Sequence, residues 1–468
     1  MGRVLSGRIN KAKRGKNTPT HQKNHRWESF TSKISKLHSL DTLKKVRRHD
    51  LEAEDVSTTT SYFRNGLQRW SELNIAKEFV AFKQATLPIS DSLPQILHHE
   101  KRIMKLFVKH ISEHEKESLE PLLDLLTAFA RDLGPLFEKY YHQSLTLIVD
   151  LAGKPQDAEV IEWTFGALAF LFKRLYKLLV PDLRPTYDVL SPLLGKSKHP
   201  PHIARFAAEA MSFLIKKAAA PNQREIALPL IMERTKDDLY DLHGSRQFEL
   251  FQDGLMTMYA EAIKGPGNTL HSTGPVVFAA LLETVPDSDS GLSDSPLWTN
   301  LTCGVLTSLI HHSTSSALVP IVEAISAHSE TAQSRASQTD DETNQSSITW
   351  PLVYLIRVLG TLAAVRKGTR VDQWQLVVKN LTAILEESST AAHGIPEEKQ
   401  RQFWNQVVVS VAYVWSHAPM TSLMPHNASL IKTMGQDPFR HWYIPFCAFL
   451  AELDPARFKS LFLTNFKG

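Results

Sequence analysis

The stretch from Asp157 to Ala220 most constrains what this chain can become. From Val160 the run VIEWTFGALAFLFKRLYKLLV sets Ile161, Phe165, Leu168, Phe172, Leu175 and Leu179 at alternating four- and three-residue steps. That spacing draws one apolar stripe along a helix of period 3.6. Trp163, Phe170 and Leu171 add apolar surface around the rest of the circumference, so this helix needs neighbours on more than one side. An inner layer of stacked helices supplies them, and a solvent-facing helix does not.

The unit recurs. LTAFARDLGP surrounds Phe129, ALAFLFKRLYKLLVP surrounds Phe170 and AMSFLIKKAAAP surrounds Phe213, at spacings of 41 and 43 residues. Each is an apolar helix that ends in basic residues and then meets Pro135, Pro181 or Pro221. Cations suit the negative end of a helix dipole, and a proline just past the end cannot continue the helix. A period in the low forties with two helices per period predicts an all-α, HEAT/armadillo-like superhelix, or solenoid.

The wording of these segments says more than their period. HRWESFTSKISKL (25–37), SYFRNGLQRWSELN (61–74), SLEPLLDLLTAFARDLGPLFEKYY (118–141), EVIEWTFGALAFLFKRL (159–175), LLVPDLRPTYDVLSPLLGK (178–196) and ARFAAEAMSFLIKKA (204–218) closely resemble the amino-terminal region of the "down-regulated in metastasis" family. The likeness is dense over roughly residues 20 to 260 and thins beyond Pro286, and family members run to several times this length. The resemblance implies a long HEAT-repeat component of the small-subunit processome. The implied partners are processome proteins and precursor ribosomal RNA or its guide small nucleolar RNA, in the nucleolus of the nucleus. The competing class is a transport or adaptor solenoid, karyopherin-like or phosphatase-scaffold-like.

Charge is unevenly placed. Through Arg48 there are fourteen Lys or Arg against Glu28 and Asp41 alone, so an overall charge of +4 leaves the rest net acidic. Lys11, Lys13, Arg14 and Lys16 form one cluster, Lys44, Lys45, Arg47 and Arg48 another, with Lys23 and Arg26 between them. The segment is expected to be a disordered arm. Three roles stay open for it: capture by an import receptor, contact with an RNA backbone aided by His21, His25, Trp27 and Phe30, or simple solvation.

The expected organisation is a basic arm over 1–60, HEAT-like repeats over 61–284, an acidic serine-rich loop at 285–298 and a helical repeat over 299–327. A second polar loop at 328–349 precedes further repeats over 350–468. VVVSVAYVW at 407–415 could form a buried strand, but its place among helices favours helix. Cys303 and Cys447 stand far apart and offer neither a disulfide framework nor a cysteine zinc site. No apolar run reads as a membrane span, and no membrane partner is expected.

Reactive chemistry is sparse. The chain has no phosphate loop ending in Gly-Lys-Ser/Thr, no HExxH, no GxSxG and no CxxC. GPGNTLHSTG (265–274) lacks the lysine of a phosphate cradle and reads as a turn. His98, His99 and Glu100, or His311 and His312, are adjacent and diverge around a helix, which does not suit a shared metal. The expectation is no enzyme, no cofactor and no metal. The candidate contact residues, besides the arm, are the cations at repeat ends: Arg131, Lys173, Arg174, Lys177, Arg184, Lys216 and Lys217. They could form a basic ridge for RNA or acidic partners, or only cap helix ends.

Overall fold

A computed structural model describes residues 93–112, 116–284, 296–336, 374–390, 408–436 and 439–463. These residues are all-α and HEAT-like, with one isolated bridge, between Lys264 and Leu270, as their only extended pairing. The chain divides into two compact units between Ala218 and Ala219, inside the span read as one run of repeats.

The first unit comprises α1 (Leu93–Ser112), α2 (Lys116–Leu133), a 3-10 turn (Gly134–Phe137), α3 (Glu138–Gly153), α4 (Ala158–Leu179), α5 (Arg184–Leu190), a second 3-10 turn (Ser191–Leu194) and α6 (Pro201–Ala218). α4 packs against α2 and against α6, while α3 packs against α1 and α5. The three recurrent segments of the sequence are therefore alternate helices of one layer, and the helices between them form the other. That is the arrangement a two-helix period requires.

Helix α4 is the centre of this layer. Leu168, Leu171 and Phe172 have no exposed surface, and Ile161, Phe165, Leu175 and Leu179 are buried beside them. Fully burying a side chain of this kind contributes about 1.5–3 kcal/mol, which explains why the stripe governs the fold. Trp163 and Phe170 are only half-buried. An aromatic cluster joins α1 to α2 and the following turn, with Phe107 and Phe129 centroids 5.7 Å apart and Phe129 and Phe137 6.0 Å apart. The Tyr141 and Thr186 hydroxyls share a buried hydrogen bond of 3.1 Å between α3 and α5.

The second unit comprises α7 (Arg224–Asp241), α8 (Phe248–Ile263), α9 (Gly274–Glu283), α10 (Pro296–His312), α11 (Ser315–Ala336), α12 (Trp374–Thr390), α13 (covering 408–417), α14 (Met420–Met434), α15 (Arg440–Leu453) and α16 (Pro455–Phe458), closed by a π turn (Lys459–Leu463). α8 packs on α10 and α9 on α11, again alternate helices; α12 packs on α11 and on α14, and α14 packs on α15. The Thr235 and Tyr259 hydroxyls lie 2.6 Å apart in the core, and the Tyr259 ring meets Trp298 edge to face at 6.1 Å. Asn380 Nδ2 donates to Ser326 Oγ at 2.6 Å, tying α12 to α11. Arg457 Nη1 donates to the Trp415 carbonyl at 2.9 Å, occupying a free acceptor at the end of α13.

Between α8 and α9 the GPGNTLHSTG segment is a turn. The His271 amide donates to the Ile263 carbonyl at 2.9 Å, and the Gly265 amide to the Thr269 carbonyl at 2.8 Å. A Cβ at Gly274 would stand 2.5 Å from the Ile263 carbonyl oxygen, so only glycine lets α9 begin there. Five helices also carry a proline five residues beyond their first: Pro121 in α2, Pro229 in α7, Pro320 in α11, Pro425 in α14 and Pro445 in α15. Each omits one backbone hydrogen bond at the same point of its helix.

Several boundaries differ from the sequence reading. Helix α10 begins at Pro296 and buries Trp298 completely, so the end of the expected loop at 285–298 is helical. Helix α11 runs past His328 to Ala336, into the expected loop at 328–349. Helix α6 starts at Pro201, directly after Pro200, because a proline is tolerated at the first helical position. The 408–417 segment is helical rather than a strand. The basic arm, the motifs at 25–37 and 61–74, and the segments 74–86 and 351–366 lie outside the described residues.

Candidate nucleic-acid interface

Two contacts fix the relation of α4 to α6. Phe165 and Phe206 have ring centroids 5.3 Å apart, and Lys217 Nζ lies 5.5 Å from the Tyr176 centroid. Both pairs are separated by 41 residues, so the two helices run side by side in the same direction with their carboxyl ends together. Lys217 also sits 5.4 Å from the Phe213 ring, and the Arg174 guanidinium 5.3 Å from the Phe170 ring. These last two pairs repeat one spacing, an aromatic residue four positions before a cation, which places both on one helix face.

Lys173, Arg174, Lys177 and Lys217 are exposed, and Lys216 is half-buried. Among the described residues, none of the four exposed cations belongs to an ion pair. The sequence supplies no Asp or Glu from Trp163 to Pro181 or from Ala210 to Gln223. The ends of α4 and α6 therefore concentrate positive charge above half-buried rings of Phe170, Tyr176 and Phe213.

The other two repeat-end cations are placed differently. Arg184 donates from Nε and Nη2 to the Asp182 carboxylate at 2.9 and 2.8 Å, and its backbone amide adds a third bond at 3.0 Å. Those bonds hold the Asp182 carboxyl below its usual range and match the Arg184 charge. Arg131 is half-buried and bonded to Asp132 at 3.3 Å. The arm candidates Lys11, Lys13, Arg14, Lys16, Lys23, Arg26, Lys44, Lys45, Arg47 and Arg48 lie outside the described residues. Of the rings under the cations, Phe170 reads from the sequence as a packing residue; the four-residue spacing of Phe170 with Arg174 and of Phe213 with Lys217 is the signal that links ring to cation.

Elsewhere the described residues hold no group of His, Cys, Asp and Glu fit for a metal ion. The His98 and His99 rings meet edge to face at 4.7 Å, and Glu100 accepts a hydrogen bond from Lys139. Cys303 is buried, and burial pushes its thiol well above its ordinary value; burial also raises the half-buried Cys447. Neither favours a thiolate. Among the described residues no helix is long and apolar enough to cross a membrane.

No family model matches the chain. It is similar to U3 small nucleolar RNA-associated protein 20 of Schizosaccharomyces pombe, with 32% identity over 443 residues, 94% of this chain and 16% of that protein. It is also similar to U3 small nucleolar RNA-associated protein 20 of Saccharomyces cerevisiae, with 30% identity over 384 residues, 80% of this chain and 14% of that protein. The chain thus spans about one-sixth of the length of these curated relatives. A match covering 94% of the chain necessarily continues well past Pro286, where the sequence reading has the likeness thin out.

Proposed function

We propose that this chain is a non-catalytic scaffold of the small-subunit processome, supporting maturation of the small-subunit ribosomal RNA precursor in the nucleolus. The observation that carries the reading is the likeness, over 94% and 80% of the chain, to two proteins named for association with U3 small nucleolar RNA. The finer assignment, to the "down-regulated in metastasis" family, is part of the same proposal and rests on the motifs quoted from residues 25 to 218.

The architecture supports a spatial rather than a chemical role. Stacked helices hold their side chains on rigid, repeated frames and offer long surfaces for partners. Catalysis asks for convergent polar groups held within a site, and the exposed cations of α4 and α6 are instead spread along helix ends. The expected partners are processome proteins, precursor ribosomal RNA and the guide small nucleolar RNA, with an import receptor acting on the basic arm.

The test is to recover a tagged copy from nuclear extract at moderate salt and to sequence the RNA that accompanies it. Enrichment of precursor ribosomal RNA and U3 small nucleolar RNA is expected. A soluble tagged chain that brings down neither, beyond the level of an unrelated helical-repeat protein, overturns the proposal. Release of a protein cargo by a nucleotide switch would point to a carrier instead.

A further inference from the structure

We propose that the joined carboxyl ends of α4 and α6 form a binding surface for single-stranded RNA. Lys173, Lys177 and Lys217 would engage phosphates, and Arg174 both a phosphate and the face of a base. The choice of RNA as the polyanion rests on the scaffold reading; the surface itself is carried by the contacts and charges of these two helices.

Helix capping does not account for the charge. Dipole stabilisation falls off within the last turn. That covers Lys177, Lys216 and Lys217, whereas Lys173 and Arg174 lie six and five residues before the end of α4 at Leu179. Neither is spent on an ion pair among the described residues, and both are exposed. Arg174 is held over Phe170 and Lys217 over Tyr176 and Phe213, so two of the cations are positioned by rings rather than left to swing freely. Ordered cations beside aromatic faces are what a strand-binding groove combines, because phosphates supply affinity and every base has a face to stack. A guanidinium suits this double task better than an ammonium. An acidic peptide would use the charge and leave the rings without a role.

The test uses the full chain and an unstructured, fluorescently labelled, uridine-rich RNA of about 20 nucleotides, with anisotropy followed between about 50 and 200 mM salt. The ridge variant combines Lys173→Gln, Arg174→Gln and Lys177→Gln. A matched control combines Lys101→Gln, Arg102→Gln and Lys105→Gln, three exposed cations of α1. Both are measured again with the clusters at 11–16 and 44–48 neutralised to Gln, which removes the arm's contribution. Circular dichroism verifies that each variant keeps its helices.

The ridge variant is expected to lose roughly tenfold in affinity, and the slope of log affinity against log salt to fall by about 2, as three lost phosphate contacts on a single strand require. The control should stay within about twofold. Arg174→Lys, which keeps the charge, should reduce the preference for the RNA over an abasic strand of equal length. Equal losses in ridge and control variants overturn the proposal. So does a ridge variant that loses polyglutamate binding while keeping RNA, since the surface then serves an acidic protein. Failure here with precursor ribosomal RNA still co-purifying leaves the scaffold reading standing; RNA binding without co-purification does the reverse.

Discussion

Lys217 Nζ stands 5.5 Å from the centre of the Tyr176 ring, reaching from α6 to the helix that precedes it in the layer. Because Lys217 also lies against Phe213 on its own helix, the ammonium joins the two carboxyl ends through ring faces rather than through an ion pair. Interactions of this kind at accessible sites contribute about 0.5–1 kcal/mol.

A double-mutant cycle of Lys217→Gln and Tyr176→Leu should therefore return a coupling of about 0.5–1 kcal/mol, read from chemical denaturation. Additive losses would mean that the contact contributes nothing beyond proximity.

Two glycines of one turn should respond differently to alanine. Gly267 has φ +65° with open space around its Cβ position, so Gly267→Ala should cost about 1 kcal/mol of backbone strain. Gly274→Ala drives a Cβ into the Ile263 carbonyl and should cost about 1–3 kcal/mol, with local displacement of α9. Thermal denaturation of the pair gives the order; equal effects would show that the backbone yields freely at Gly274.

The hydroxyl pairs Tyr141 with Thr186 and Tyr259 with Thr235 bind neighbouring helices in different units, and burial raises the pKa of both tyrosines. Tyr141→Phe and Tyr259→Phe should each cost about 1 kcal/mol. In an array where repeats contact only their neighbours, hydrogen exchange should quicken around α3 and α5 in the first variant and around α7, α8 and α10 in the second. Acceleration of all helices in both would mean that the chain opens as one cooperative body.

His199 is half-buried just before α6, and burial lowers its imidazole pKa from an ordinary 6.5. Between the two values the unfolded chain binds more protons than the folded one. Stability contributed by neutral His199 is thus full above about pH 6.5 and declines as pH falls through the folded value. His199→Gln should flatten the stability profile in that window, and its titration followed by NMR should have a midpoint below 6.5. A midpoint at or above 6.5 would contradict the burial effect.

Helices with a single dominant apolar stripe were legible from the residues alone: α4 begins two residues before Val160 and ends at Leu179. The alternate-layer packing of α2, α4 and α6 was legible as well, because the recurrence of their segments at 41 and 43 residues is itself a packing statement. Helix α14 was not, since Pro425 and the polar run around Asn427 break its apolar rhythm; Asn427 is instead buried, with its side-chain nitrogen donating to the Leu461 carbonyl at 2.7 Å. The continuation of α11 through SETAQSRA was missed because its polar composition resembles a loop, although Ala, Glu, Gln and Arg are good helix formers. Of the candidate contact residues, sequence identified the cations and their clustering at repeat ends. It did not separate Arg184 and Arg131, matched by nearby Asp182 and Asp132, from Lys173, Arg174, Lys177 and Lys217, because ion pairing depends on side-chain direction rather than on spacing.

The equal separation of Phe165 from Phe206 and of Tyr176 from Lys217 has an evolutionary and practical consequence. Geometry in the first unit is stored as phase. Residues added in the short link between the second 3-10 turn and α6, at 195–200, leave each helix's own face intact and need only be absorbed by that link. A single residue inserted within α4 would instead rotate everything beyond it by about 100°, carrying Phe172 and Leu175 off the buried face and the cations off theirs. Such a frame tolerates drift in the length of its turns and forbids it inside its rungs, so residues on the outward side of α4 and α6 can be exchanged without renegotiating the fold.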